Sequence, residues 1–183
     1  TWRTIRKGML SRIDKPVGDE AIRRFLGLMS TPGRLGEILR RLHELRVLEQ
    51  IIPAVRHTRC LLQFNEYHKY TVDAHCIRSV ECAEEFAKRN DFLADLYNKS
   101  KQKLILHLAL LLHDLGKGYV EDHSEVGLRI AEETAKILRL SDADKELICF
   151  LVHQHLIMTH TAFRFDLTQP TTIIKFAQQV GSL

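Results

Sequence analysis

The residues with the greatest chemical reach are His75, the adjacent pair His113-Asp114, His123, His155 and Asp166, in that order along the chain. The 183 residues hold ten histidines, and placement rather than number makes them informative. His113-Asp114 closes the aliphatic run Leu108-Ala109-Leu110-Leu111-Leu112, just ahead of Gly116 and Gly118. A carboxylate at the end of a buried helix is costly unless it is paired or binds a cation. Left unpaired at a helix C-terminus, it would also oppose the helix dipole. Neutral imidazole plus carboxylate is the ligand set of a divalent ion such as Mn²⁺, Fe²⁺ or Zn²⁺, with Mg²⁺ where carboxylate and water dominate. Because a carboxylate has two oxygens, one aspartate can bridge two ions. Such a pair polarises a phosphoryl group and turns water into hydroxide near neutral pH.

Helices must carry these groups, because helical period dominates and strand alternation is nearly absent. Ile22, Phe25, Leu26 and Met29 sit at helical spacing before the break Ser30-Thr31-Pro32-Gly33. Leu35, Ile38, Leu39, Leu42 and Leu45 form the next stripe, and a short apolar segment ends at Pro53. A long helix is expected from about Tyr70 to Lys88, with Cys76, Val80, Ala83 and Ala87 inward. Leu104 to His113 is apolar almost all round, which marks a helix in the middle of a bundle. Asp122 and Glu125 are three apart and signal a helix start, with the helix running to about Leu138. Ser141 and Asp144 repeat that signal before a helix expected over Lys145 to Ile157, and a last helix follows Pro170. On that helix Ile148, Leu151, Val152 and His155 share one stripe, pointing His155 inward, while His153 lies about 200° away. The expectation is an all-α bundle of about seven or eight helices, with a helical lead-in over residues 1–66 packed on a main domain over 67–183.

Composition narrows the function classes. Hydrophobic residues make up 45% and charged residues 27%, the balance of a globular domain and not of a disordered or fibrous chain. The net charge of +4 permits an anionic substrate, yet the basic residues are spread rather than gathered into a nucleic-acid stripe. No stretch is apolar enough for a membrane span and no signal peptide is seen, so a cytoplasmic location is expected. Cys60, Cys76, Cys82 and Cys149 form no CxxC pair and are expected as reduced thiols. The start at Thr1-Trp2-Arg3 and the end just beyond a helical stretch read as a piece of a longer protein.

The order H…HD…H…H…D resembles the HD-domain metal-dependent phosphohydrolases. The flanking residues narrow the likeness. His68-Lys69-Tyr70-Thr71-Val72-Asp73-Ala74-His75, Leu111 to Gly118, Asp122-His123-Ser124, Leu151 to Met158 and Thr161 to Asp166 resemble the uridylyl-removing domain of the bifunctional uridylyltransferase/uridylyl-removing enzymes of the PII nitrogen-signalling protein. Thr31 to Pro53 resembles their helical lead-in.

The resemblance implies a metal-dependent phosphodiesterase that removes UMP from a tyrosine of uridylylated PII, within a parent chain that also holds nucleotidyltransferase and ACT domains. It implies His75, His113, Asp114, His123, His155 and Asp166 as ligands of one or two divalent ions (Mn, Fe, Mg or Zn). Asp114 would be the bridge, and Lys117 would hold the phosphate and offset transition-state charge. Two departures stand out. Family members often carry adjacent histidines where this chain reads Gln154-His155, which predicts one ion or a weakened second one. Their Arg-Arg-Asp is Arg164-Phe165-Asp166 here. No Gly-Ser with paired aspartates is present, so nucleotidyl transfer is not expected of this chain.

Two rival readings remain: an HD phosphohydrolase acting on a free nucleotide, or a catalytically weakened metal-binding regulatory domain. Plainer roles come first for the other residues. His107 is expected as a satisfied core histidine, His43, His57 and His160 as surface or packing residues, and Cys76 as core. His68 is placed as a support or phosphate contact, Tyr67 and Tyr70 as packing, and nothing singles out Asp73 or Glu81 as catalytic.

Overall fold

The computed structural model describes residues 2–10, 16–62 and 70–181, and the chain falls into two compact units, Thr1–His153 and Gln154–Leu183. The described residues carry helices and no strand, as an all-α chain requires. In the first unit these are α1 (Trp2–Leu10), α2 (Asp19–Ser30), α3 (Leu35–Glu44), α4 (Leu48–Ile51), α5 (Val55–Thr58), α6 (Val72–Phe86), α7 (Phe92–Lys99), α8 (Lys103–Leu112), α9 (His123–Leu138) and α10 (Asp142–His153). The second unit holds α11 (Ile157–Arg164) and α12 (Pro170–Val180). The count exceeds seven or eight because α4 and α5 are single turns, α7 shows little periodicity, and the helix expected to reach Ile157 stops at His153. The expected domain boundary at 66/67, together with Tyr67 and His68, lies outside the described residues.

Helix α8 is the axis of the first unit. Its Ile105, His107, Leu108, Ala109, Leu111 and Leu112 are buried, and α2, α6 and α10 pack around it. The run is rich in leucine, a strong helix former whose side chain loses little freedom in a helix. His107 is satisfied from both ring nitrogens. Its Nδ1–H donates to the Met29 carbonyl at 2.6 Å, and its Nε2 accepts from the Tyr97 hydroxyl at 2.8 Å. Burial pushes the His107 pKa down and raises that of Tyr97 to about 12.

Helix α6 is fastened to the lead-in helices by acidic side chains. Glu84 accepts from the backbone N–H groups of Gly33, Leu35 and Gly36 at 2.6, 2.9 and 2.8 Å, so it caps α3 from a distant helix. Glu81 pairs with Arg40 of α3 and with Arg78 on its own helix. Asp73, almost fully buried, accepts from the Cys60 and Ala74 N–H groups and sits 2.9 Å from His43 Nε2. Burial alone would raise the Asp73 carboxyl, but the hydrogen bonds from His43, Thr71 and these amides outweigh it and hold the group well below the usual range. Asp73 and Glu81 are thus braces that join α6 to the rest of the unit.

The other braces follow local signals. Asp122 caps α9 by accepting from Ser124 N and Glu125 N, and Ser141 accepts from Asp144 N ahead of α10. Helix α9 packs along α10, where Ile148 and Val152 are fully buried.

Candidate metal centre

Three elements of the first unit bring the first ligands together. Helix α6 carries His75 one turn from its start. The end of α8 supplies His113, and Asp114 begins the turn that runs to Gly118. His75 Nε2 lies 3.2 Å from His113 Nε2 and 3.5 Å from Asp114 Oδ2, and the third side of the triangle is 3.4 Å. Asp114 is 4% exposed, so this carboxylate does not reach open solvent. Its Oδ2 also pairs with Lys117 Nζ at 2.8 Å, one turn further on. His123, the first residue of α9, places a ring nitrogen within 4.8 Å of the Asp114 carboxylate.

The donor set suits a divalent ion. The His113 Nδ1–H donates to the Leu110 carbonyl at 2.8 Å, which makes Nε2 the electron-pair donor of the ring. That lone pair faces a second imidazole nitrogen and a carboxylate oxygen. Three acceptors so close repel unless a proton or a cation lies among them. Sides of 3.2 to 3.5 Å put a common centre about 2 Å from each atom, the length of a first-row metal bond to imidazole or carboxylate. Burial alone would push the Asp114 carboxyl up. With a proton on His113 Nε2 in place of an ion, the hydrogen bond and charge of His113, and then those of Lys117, prevail and hold it well below the usual carboxylate range. The buried thiol of Cys76, by contrast, is pushed up and stays protonated core, as expected.

Two glycines let the helices close around this group. A Cβ on Gly116 would meet the His123 carbonyl oxygen at 2.1 Å and the Gly127 nitrogen at 2.7 Å. A Cβ on Gly127 would meet Val152 at 3.2 Å. The turn after Asp114 therefore lies directly on the first turns of α9, and this close approach seats His123.

The model of the HD domain matches residues 72–180. The chain belongs to the HD domain family. Bifunctional uridylyltransferase/uridylyl-removing enzymes are its relatives. The protein of that name from Ruegeria pomeroyi is 39% identical over 166 residues, 88% of this chain and 18% of the relative. Those from Methylococcus capsulatus and Cereibacter sphaeroides are each 37% identical, over 88% and 89% of this chain and 19% and 18% of their own lengths. This HD chain thus spans under a fifth of the length of the relatives it matches.

The remaining expected residues fall as follows. His155 lies in the second unit, in the segment between α10 and α11, because α10 ends at His153 instead of carrying His155 on its inward stripe. Asp166 lies in the turn between α11 and α12, where it accepts from Thr168 N at 2.8 Å and Thr168 Oγ1 at 2.7 Å. Their place in a ligand set is an expectation from the sequence pattern and the resemblance. His153 pairs with Glu125 at 3.1 Å. His57 stacks on Tyr119 with ring centres 4.0 Å apart. Asp73 was missed as a brace because its partners His43 and Cys60 come from segments distant along the chain. Nothing local marks Glu84, whose partners lie 48 to 51 residues away. Among the described residues, no helix is long and apolar enough to cross a membrane.

Proposed function

We propose that this chain is a metal-dependent phosphodiesterase of the uridylyl-removing type, which hydrolyses the uridylyl–tyrosine bond of uridylylated PII. The observation that carries the reading is the triangle of His75, His113 and Asp114, with its acceptor atoms turned on one another. The name of the relatives, uridylyl-removing enzyme, supports removal of a uridylyl group.

His75, His113, Asp114 and His123 would hold the ion, and Asp114 and Lys117 would act on the diester. A divalent ion supplies Lewis acidity toward a phosphoryl oxygen and lowers the pKa of water. The chain's own residues do the positioning. The Leu110 carbonyl fixes the His113 tautomer so that Nε2 stays an electron-pair donor. Lys117 holds Asp114 ionised and anchors one of its two oxygens. The same ammonium lies where it can neutralise a phosphoryl oxygen as charge builds in the transition state. A tyrosinate leaving group, with a pKa of about 10, asks for little acid assistance.

The decisive experiment pairs elemental analysis with turnover. Asp114→Ala is expected to lose bound metal and hydrolysis of uridylylated PII, with the helical circular dichroism unchanged. Full turnover by Asp114→Ala would refute the assignment. Turnover of free nucleotides in place of the protein diester would favour the nucleotide reading.

A further inference from the structure

A groove of about 670 Å³ opens between α6, α7 and α8 in the first unit, and His75 is one of its walls. His75 is the accessible edge of the ligand triangle, with 39% of its side chain exposed against 6% for Asp114. From His75 the groove follows one face of α6 through Ser79 and Ala83 to Phe86, at spacings of four, four and three. The twelve residues from His75 to Phe86 make a floor about 16 Å long, enough for about five residues of extended chain. Leu110 of α8 and Tyr97 of α7 belong to the lining.

The far wall is unusual. Leu93 and Leu96 of α7 face the groove, yet they are 48% and 52% exposed. Two leucines one turn apart, left half uncovered beside a ligand cluster, lower the free energy only if something apolar covers them.

Most polar groups that line the groove already have partners, and Tyr70, 52% exposed, adds one hydroxyl. Ser79 donates to the His75 carbonyl at 3.0 Å, and Tyr97 is bonded to His107. Ser100 accepts from Gln102 N, and Arg78 is held by Glu81 and Glu85. A uridine entering here would have to leave its hydroxyls, carbonyls and imide N–H largely unmatched, and burying them unpaired is unfavourable. An apolar peptide segment has no such difficulty along its side chains.

We propose that this groove seats an apolar stretch of the substrate polypeptide beside the scissile residue, so that it recognises the leaving-group side of the diester and not the nucleotide. The proposal rests on the phosphodiesterase reading above, and it names how a protein substrate would be told from a free nucleotide.

The test compares two substrates that share UMP: uridylylated PII, and the p-nitrophenyl ester of UMP, which has no polypeptide. Leu93→Gln and Leu96→Gln alter half-exposed positions, and thermal melts confirm that both variants fold. Their kcat/KM on uridylylated PII is expected to fall about four- to twelvefold, the worth of covering the exposed half of one leucine. Their kcat/KM on the p-nitrophenyl ester is expected to stay within about twofold. Leu96→Met, which keeps the apolar surface, is expected to restore the protein reaction. Equal losses on both substrates would overturn the proposal in favour of a nucleotide subsite, and unchanged rates on both would overturn it outright. A metal-loaded wild type that cleaves neither substrate would instead remove the phosphodiesterase reading itself, and this proposal with it.

Discussion

Gly116→Ala should damage the metal centre without touching a ligand. The added Cβ would stand 2.1 Å from the His123 carbonyl oxygen and 2.7 Å from the Gly127 nitrogen. Ordinary contact begins near 3.4 Å, so the turn and the head of α9 must part by 3.4 − 2.1 = 1.3 Å. Both obstacles are backbone atoms, so no side chain can rotate away to relieve the clash. Overpacking of this kind costs about 1–3 kcal/mol, which for a chain of this size is a loss of roughly 2–12 °C in Tm. The same movement carries His123 away from the Asp114 carboxylate, and disturbed support of a ligand typically costs about 10- to 100-fold in metal affinity. Differential scanning calorimetry of the metal-free protein reads the first effect, and titration with Mn²⁺ reads the second. Gly27→Ala is the control. Nothing lies within 4 Å of its added methyl, and alanine should gain about 1 kcal/mol in the helix. A Gly116→Ala protein that melts with the wild type and binds Mn²⁺ as tightly would refute the argument from close approach.

Two further outcomes follow from the braces of the fold. Glu84→Ala removes the acceptor for three amides at the head of α3, and a loss of about 2 kcal/mol is expected in urea unfolding, with the m-value unchanged. For His107, burial depresses the folded pKa, so as pH falls below about 6.5 the unfolded chain takes up a proton that the native state refuses. Its contribution is therefore fully present above pH 6.5 and declines toward the depressed folded value, with a slope of at most about 1.4 kcal/mol per pH unit. The stability gap between wild type and His107→Gln should narrow as pH is lowered from 7.5 to 5 in denaturant melts, and a gap independent of pH would contradict this.

Much of the molecule follows from local rules. A capping aspartate at Asp122 and an apolar stripe to Leu138 predict α9, because both act within a turn or two of the backbone. The all-round apolar run before His113 predicts a central helix, and α8 is that helix. The burden of an aspartate at its end predicts a charged partner, and Asp114 has Lys117 and two imidazoles. Local rules did less well where a helix end depends on what packs beside it: the stripe through Val152 continues on paper to His155, but α10 stops at His153. Helix α7 was missed because only Ala94 and Tyr97 make its buried face while the apolar Phe92, Leu93 and Leu96 are exposed, so apolar spacing does not mark the inner side.

The sequence alone determined the helical class, most of the helix starts and the residue types of a divalent-ion site, since propensity, capping and donor chemistry are properties of short segments. Only the tertiary structure decided that His75 comes within 3.2 Å of His113 from 38 residues away, that Glu84 caps α3, and that Gly116 lets α9 settle on the turn. Those are contacts between distant segments. They depend on how whole helices pack, and no window of neighbouring residues carries that information.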